Sequence, residues 1–173
     1  MISAKLLLAY LLQSADVSGL NVATSKIDPE QAYCLAENIY YESRNEDIRG
    51  QIAVASVTVN RTKDPRFPDT VCEVVKFTAP SRITKQIVCA FSWYCENDKK
   101  GKIIMIKNDH VKEQFETAAR IAIEMLGGVI DDNTHGATHF HNPFTSFPAW
   151  RHDYKKTMRI GNHDFYRMPE PKE

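Results

Sequence analysis

Hydrophobic positions along the chain change period, and the change divides it into a helical part and a short sheet. From Asp28 to Arg44 apolar residues recur at helical spacing. Asp28 is placed as cap, Pro29 at the first helical position and Gln31 three residues after the cap. Asn45-Glu46-Asp47 interrupts this helix, and Asp47 caps a second one running from Ile48 to Arg61. The second helix is apolar on most sides, as expected of a buried central element. Its β-branched residues also suit a strand, but its length favours a helix. Asp69 is read as the start of a short third helix, Thr70 to Phe77, and residues 78–106 read as irregular. Asn108 or Asp109 opens a long amphipathic helix with Val111, Phe115, Ala118, Ala119, Ala122 and Leu126 on one face, ended by Gly127-Gly128. Beyond it Thr138 to His141 alternates like a strand. Thr157 to Ile160, Gly161-Asn162 and Asp164 to Tyr166 read as a hairpin. The pattern predicts a mainly helical α+β fold with a small antiparallel β-hairpin near the C-terminus.

At the other end, the apolar run Leu6 to Leu12 is seven residues long. That is far short of the ~20 residues that span a bilayer. It sits at the lower limit for the core of a signal peptide, and Ser14-Ala15 would be a poor cleavage site. The plain reading is an amphipathic helix packed on the domain. Residues 1–27 form an N-terminal segment (a helix, or a weak signal or anchor), and 28–173 form one domain of ordinary size. Lys+Arg and Asp+Glu both number 22, which argues against a nucleic-acid binder with its basic excess. A weakly polar polymer such as a polysaccharide stays open. Cys34, Cys72, Cys89 and Cys95 contain no C-x-x-C pair, so a zinc ribbon is not indicated. Buried free thiols are the expectation. A Cys89–Cys95 bridge is the alternative outside the cytoplasm.

Candidate chemistry centres on Glu42. Helix geometry puts it within roughly 20° of Leu35 around the axis, beside apolar surface. Desolvation there would raise its pKa toward the range of a general acid. The plain alternative is a surface carboxylate at a helix end. Glu46 follows four residues later, either as a second site carboxylate or as a group accepting backbone N–H bonds near Asp47. His139 and His141, two apart, would face one side of a strand, with His135, His152 and His163 elsewhere in this part. They could bind zinc or a hydroxylated ligand, but no H-E-x-x-H accompanies them. Tyr40, Tyr41, Trp93, Tyr94, Phe144, Phe147 and Trp150 could stack on sugars or fill the core. Ser92 is in no G-x-S-x-G elbow, and no cysteine sits in a nucleophile motif.

Taken in order, several blocks resemble one family. They are Ala36 to Glu46, Gly50 to Ala55 with Val59-Asn60-Arg61, Phe67 to Val75, Phe91-Ser92-Trp93, Gly136 to Asn142 and Ile160 to Tyr166. Together they are similar to the cell-wall hydrolases of the SleB type, which include spore-cortex-lytic enzymes and phage endolysins. The resemblance covers about residues 30–167. It implies a lysozyme-like fold, related to goose-type lysozyme and lytic transglycosylases, with Glu42 as the catalytic carboxylate. Ser43 and Asn45 stand where the family commonly has Ala and Gly, and an asparagine tolerates a left-handed backbone.

The implied activity is cleavage of the β-1,4 bond between N-acetylmuramic acid and N-acetylglucosamine, as a lytic transglycosylase or alternatively a muramidase. A histidine-dependent metal amidase and a non-catalytic wall-binding module are the competing classes. The expected site is Glu42 as acid, with Ser43, Glu46, Ser92, Trp93, Tyr94, His139, His141 and Asn142 contacting substrate. Neither cofactor nor metal is expected. The partner would be peptidoglycan glycan strands rather than nucleic acid or a stably inserted membrane, with the chain a monomer acting at the bacterial wall.

Overall fold

The computed structural model describes residues 2–14, 24–80, 85–96 and 103–170. The connector expected after the first helix, including the Ala15 side of the Ser14-Ala15 junction, lies outside the described residues over 15–23. Ile2–Ser3 forms β1, and Ala4–Gln13 forms α1, capped by the Ser3 hydroxyl accepting the Leu6 N–H. Ala4, Leu7, Leu8 and Leu11 are buried, so the apolar stripe of α1 packs on the domain.

The central helix α2 covers Pro29–Ser43. Asp28 Oδ1 accepts from the N–H groups of Glu30 (2.8 Å) and Gln31 (3.5 Å), a cap worth ~1 kcal/mol. Gln31 does not reach back to the cap; its Oε1 accepts the Cys72 N–H at 3.0 Å and ties α2 to the following helix pair. Helix α3 covers Ile48–Thr62, and Asp47 accepts the Gly50 N–H at 2.8 Å. It lies between two apolar clusters, which explains its apolar circumference. Ala55 joins the main helical core, while Ala53 and Val57 pack with Ala137, Ile160 and Phe165 of the sheet.

The third helix, α4, is Val71–Lys76. It starts at Val71 rather than Thr70 because Thr70 caps it, accepting the Glu73 N–H at 3.3 Å and donating its hydroxyl to Glu73 Oε2 at 2.7 Å. The stretch expected to be irregular contains short elements. Thr78–Pro80 (β2) pairs antiparallel with Ile87–Cys89 (β3), Ser92–Cys95 forms α5, and Met105–Ile106 (β4) pairs with β1. Helix α6, Asp109–Leu126, is capped by Asn108, and Gly127 ends it. It packs against α2 around Phe115, Ile123, Leu35 and Ile39, each essentially inaccessible to solvent. Burying such a side chain contributes roughly 1.5–3 kcal/mol.

The C-terminal sheet has order β5-β7-β6, from His139–His141, His163–Arg167 and Lys155–Ile160, all antiparallel. The β6–β7 link is a two-residue turn with Gly161 at φ 54°, the positive φ a type II′ turn requires at its first central position.

All four cysteines are paired. Cys34–Cys72 joins α2 to α4 and Cys89–Cys95 joins β3 to α5, which corrects the expectation of free thiols. Their Cα atoms lie 5.2 Å and 5.8 Å apart, within bridging reach. Asn45 is also corrected. Among the described non-glycine residues only Lys85 and His135 have positive φ, so the asparagine replaces no left-handed glycine.

Candidate active site

The last turn of α2 carries Glu42 to the wall of a cavity of about 620 Å³, between the helical core and the C-terminal sheet. This is the size of an ordinary small-ligand cleft. Glu42 is half-buried and is the one carboxylate among the described residues lining it. The other titratable groups there are Arg61, His139, His141 and His163.

Arg61 forms part of the floor. It is 5% exposed, and it closes α3 from below. Its Nε donates to the Thr138 carbonyl at 2.7 Å and its Nη1 to that of Ala90 at 3.4 Å, while the guanidinium covers the rings of Phe91 and Phe67. Burial lowers its pKa to about 10, opposed by the charge of Glu42, so it stays cationic at neutral pH. The attraction is mutual.

His139 and His141 both line the cavity, as their spacing on β5 predicts. His139 packs against Trp150 and Tyr154, and its Nδ1 lies 3.0 Å from the Thr138 hydroxyl. Burial, reinforced by Arg61 and Arg66, pushes its pKa down to about 3, so this ring is neutral. His141 Nδ1 lies 2.9 Å from the Ser146 carbonyl, which only accepts, so the proton resides on Nδ1. Its Nε2 then accepts from the Tyr166 hydroxyl at 3.3 Å. Both nitrogens of His141 are thus engaged, and among the described residues no group of three His, Cys, Asp or Glu is placed to hold a metal ion. Ser92 and Asn142 also line the cavity. Asn142 Oδ1 accepts the Phe144 N–H at 2.9 Å, shaping the loop that brings Ser146, Pro148 and Trp150 to the rim.

Four expected substrate contacts are placed elsewhere. Ser43 is 3% exposed and donates to the Ile39 carbonyl at 3.0 Å. Trp93 is 4% exposed; its Nε1–H donates to Asn38 Oδ1 at 2.8 Å and its ring stacks on Tyr41. Tyr94 packs edge-on against Trp93 and is not among the lining residues. Glu46 lies outside the lining as well, with its carboxylate on Asn162. Nor does it cap α3, since the Asp47 side chain does that. Of the aromatics singled out in the sequence, Trp150 lines the cavity, while Phe144 and Phe147 are exposed on the loop beside it. Two titratable lining residues were not among the expected site residues: Arg61, read only as part of the Val59-Asn60-Arg61 block, and His163, visible only as one of several histidines.

The helical core with its small antiparallel sheet is a lysozyme-like fold. The cell wall hydrolase family model matches residues 45–166, and the chain belongs to that family. The match begins three residues beyond Glu42. Spore cortex-lytic enzymes from Halalkalibacterium halodurans and Bacillus subtilis are 33% and 30% identical to the chain over 135 residues, 76% of its length. The chain spans about a third of the length of these relatives, 33% and 35%. Among solved structures it is similar to the catalytic domain of the germination-specific lytic transglycosylase SleB from Bacillus anthracis. The TM-score is 0.61 and the identity 26%, covering 82% of this chain and 98% of that one. The catalytic domain of the Bacillus cereus SleB protein gives a TM-score of 0.53 at 27% identity, covering 80% and 91%.

Proposed function

We propose that the chain cleaves the β-1,4 bond between N-acetylmuramic acid and N-acetylglucosamine in peptidoglycan, as a lytic transglycosylase. The observation that carries this reading is that Glu42 is the one carboxylate among the described residues lining the cleft. A hydrolase of this class uses two carboxylates, the second to activate water or to act as nucleophile. A transglycosylase needs one. Protonated Glu42 gives its proton to the glycosidic oxygen as the C1–O bond breaks. The resulting carboxylate then takes the proton of the muramyl 6-hydroxyl as that oxygen bonds to C1, closing a 1,6-anhydro ring. The Arg61 cation stabilises Glu42 in its ionised phase. Ser92, Asn142, His139 and His141 line the path of the glycan, and Trp150 offers a ring for a sugar face.

Peptidoglycan places the activity at the bacterial wall. Two disulfides suit a protein working in an oxidising compartment. No described helix is long and apolar enough to cross a membrane. The test is mass spectrometry of the soluble products of digested sacculi. Fragments ending in 1,6-anhydromuramic acid, one water lighter than hydrolytic products, are expected. Reducing-end muramic acid without anhydro product would replace the transglycosylase by a muramidase.

A further inference from the structure

Glu46 leaves the cleft only to hold something that enters it. It lies on the α2–α3 connection, four residues after Glu42. From there it reaches across 116 residues of sequence to the β6–β7 turn. Its Oε1 accepts the Asn162 side-chain amide at 2.9 Å and its Oε2 accepts the Asn162 backbone N–H at 3.2 Å. A Cβ at Gly161 would collide with Oε2, and Gly161 also has φ 54°, so contact and conformation both require glycine there.

The next residue is His163, which lines the same cavity as Glu42. Its ring stands edge-on to Phe140, with Glu46 and His141 as its charged or titratable neighbours. Burial lowers its pKa against the opposing charge of Glu46, which keeps the ring neutral. His163 Nδ1 is buried without a hydrogen-bond partner. Among the described residues no acceptor faces Nδ1, so a proton there would be a buried donor without a partner, at about 1–3 kcal/mol. The proton therefore belongs on Nε2, the nitrogen left to meet a ligand.

We propose that Glu46 is a positioning residue acting through the Gly161–Asn162 turn, holding His163 as a hydrogen-bond donor to an oxygen of the glycan beside Glu42. The proposal rests on the glycosidase reading. Because Glu46 lies on the connection that follows the helix end carrying Glu42, the clamp fixes the donor relative to the acid. The bonds to Asn162 lie at an exposed turn, so their effect is on geometry more than on stability.

The experiment combines Glu46→Gln, His163→Ala and the double variant. It follows initial rates of muropeptide release from sacculi, thermal melts, and the NMR signal of the His163 imidazole. His163→Ala should lower kcat/KM about tenfold, the effect of one lost hydrogen bond of ~1.4 kcal/mol. Glu46→Gln should lower it by a smaller factor and shift the His163 signal, with the Trp93 indole signal and the melting temperature nearly unchanged. The double variant should be no worse than His163→Ala alone. Gly161→Ala, which displaces the Glu46 carboxylate and also strains the turn, should shift the His163 signal and lower the rate, with a lowered melting temperature. Losses that multiply in the double variant, or an unmoved His163 signal in Glu46→Gln, would overturn the proposal. If the unmodified protein releases no fragments, the glycosidase reading fails. The His163 signal in Glu46→Gln then decides the clamp on its own.

Discussion

Trp93→Phe separates a structural tryptophan from a sugar-stacking one. Trp93 sits at the end of a buried polar chain that crosses three helices. Its Nε1–H donates to Asn38 Oδ1 at 2.8 Å, the Asn38 amide donates to Thr58 Oγ1 at 3.0 Å, and the Thr58 hydroxyl donates to the Val54 carbonyl at 3.0 Å. Asn38 and Thr58 are inaccessible to solvent. The phenylalanine has no N–H, so Asn38 Oδ1 is left without its donor in the interior, at about 1–3 kcal/mol. The smaller ring also vacates space against Tyr41, whose ring centroid lies 4.5 Å away, adding roughly 1–2 kcal/mol. The sum, ~2–5 kcal/mol, corresponds to a fall in melting temperature of roughly 4–20 °C for a domain of this size. A domain of ordinary stability tolerates that and stays folded at 25 °C. The assay pairs a thermal melt with steady-state muropeptide release well below the transition. We expect the melt to shift and KM to stay within about twofold. A KM raised tenfold with an unshifted melt would put Trp93 in the sugar path and refute the burial argument.

Other consequences follow from the same structure. The folded state keeps His139 neutral down to about pH 3, whereas the unfolded chain protonates it below its ordinary pKa of 6.5. Its contribution is therefore full above pH 6.5 and is lost as pH falls toward 3, by up to ~1.4 kcal/mol per unit. Urea midpoints at pH 7 and pH 4.5 should differ more for the natural protein than for His139→Phe; equal differences would contradict this. Cys34–Cys72 closes 38 residues and Cys89–Cys95 closes 6. Chain entropy then assigns about 4 kcal/mol to the first bridge and about 2 kcal/mol to the second. Replacing the first pair by alanine should lower the melting temperature more than replacing the second, and the reverse order would refute that assignment.

Much of the fold was legible because its signals are local. Asp28-Pro29, Asp47 and Asn108 with Gly127 mark helix ends through backbone groups within a few residues, and Gly161-Asn162 marks a hairpin through its own backbone. His139 and His141 were legible as residues of one face because strand geometry sets the direction in which each points, whereas Glu42 was singled out by its helix position together with the family resemblance. What failed was non-local. The partner of Glu46 lies 116 residues away and that of Trp93 lies 55 away, so no spacing rule connects them. The Cys34–Cys72 bridge depends on the approach of α2 to α4, 38 residues apart in sequence. Strands of two or three residues, such as β1 with β4, exist only because neighbouring helices bring them together. The burial of Arg61 rests on the carbonyls of Thr138 and Ala90, 77 and 29 residues away in sequence.

The most direct test of the account is the rate at which purified Glu42→Gln releases soluble muropeptides from sacculi. Glutamine keeps the shape of the side chain at the cleft wall but carries no transferable proton. General acid catalysis contributes roughly 10²–10⁴-fold. The account predicts a loss in that range, in a variant whose melting temperature stays within a few degrees of the natural protein's. Release within about tenfold of the natural rate, by a folded variant, would contradict it.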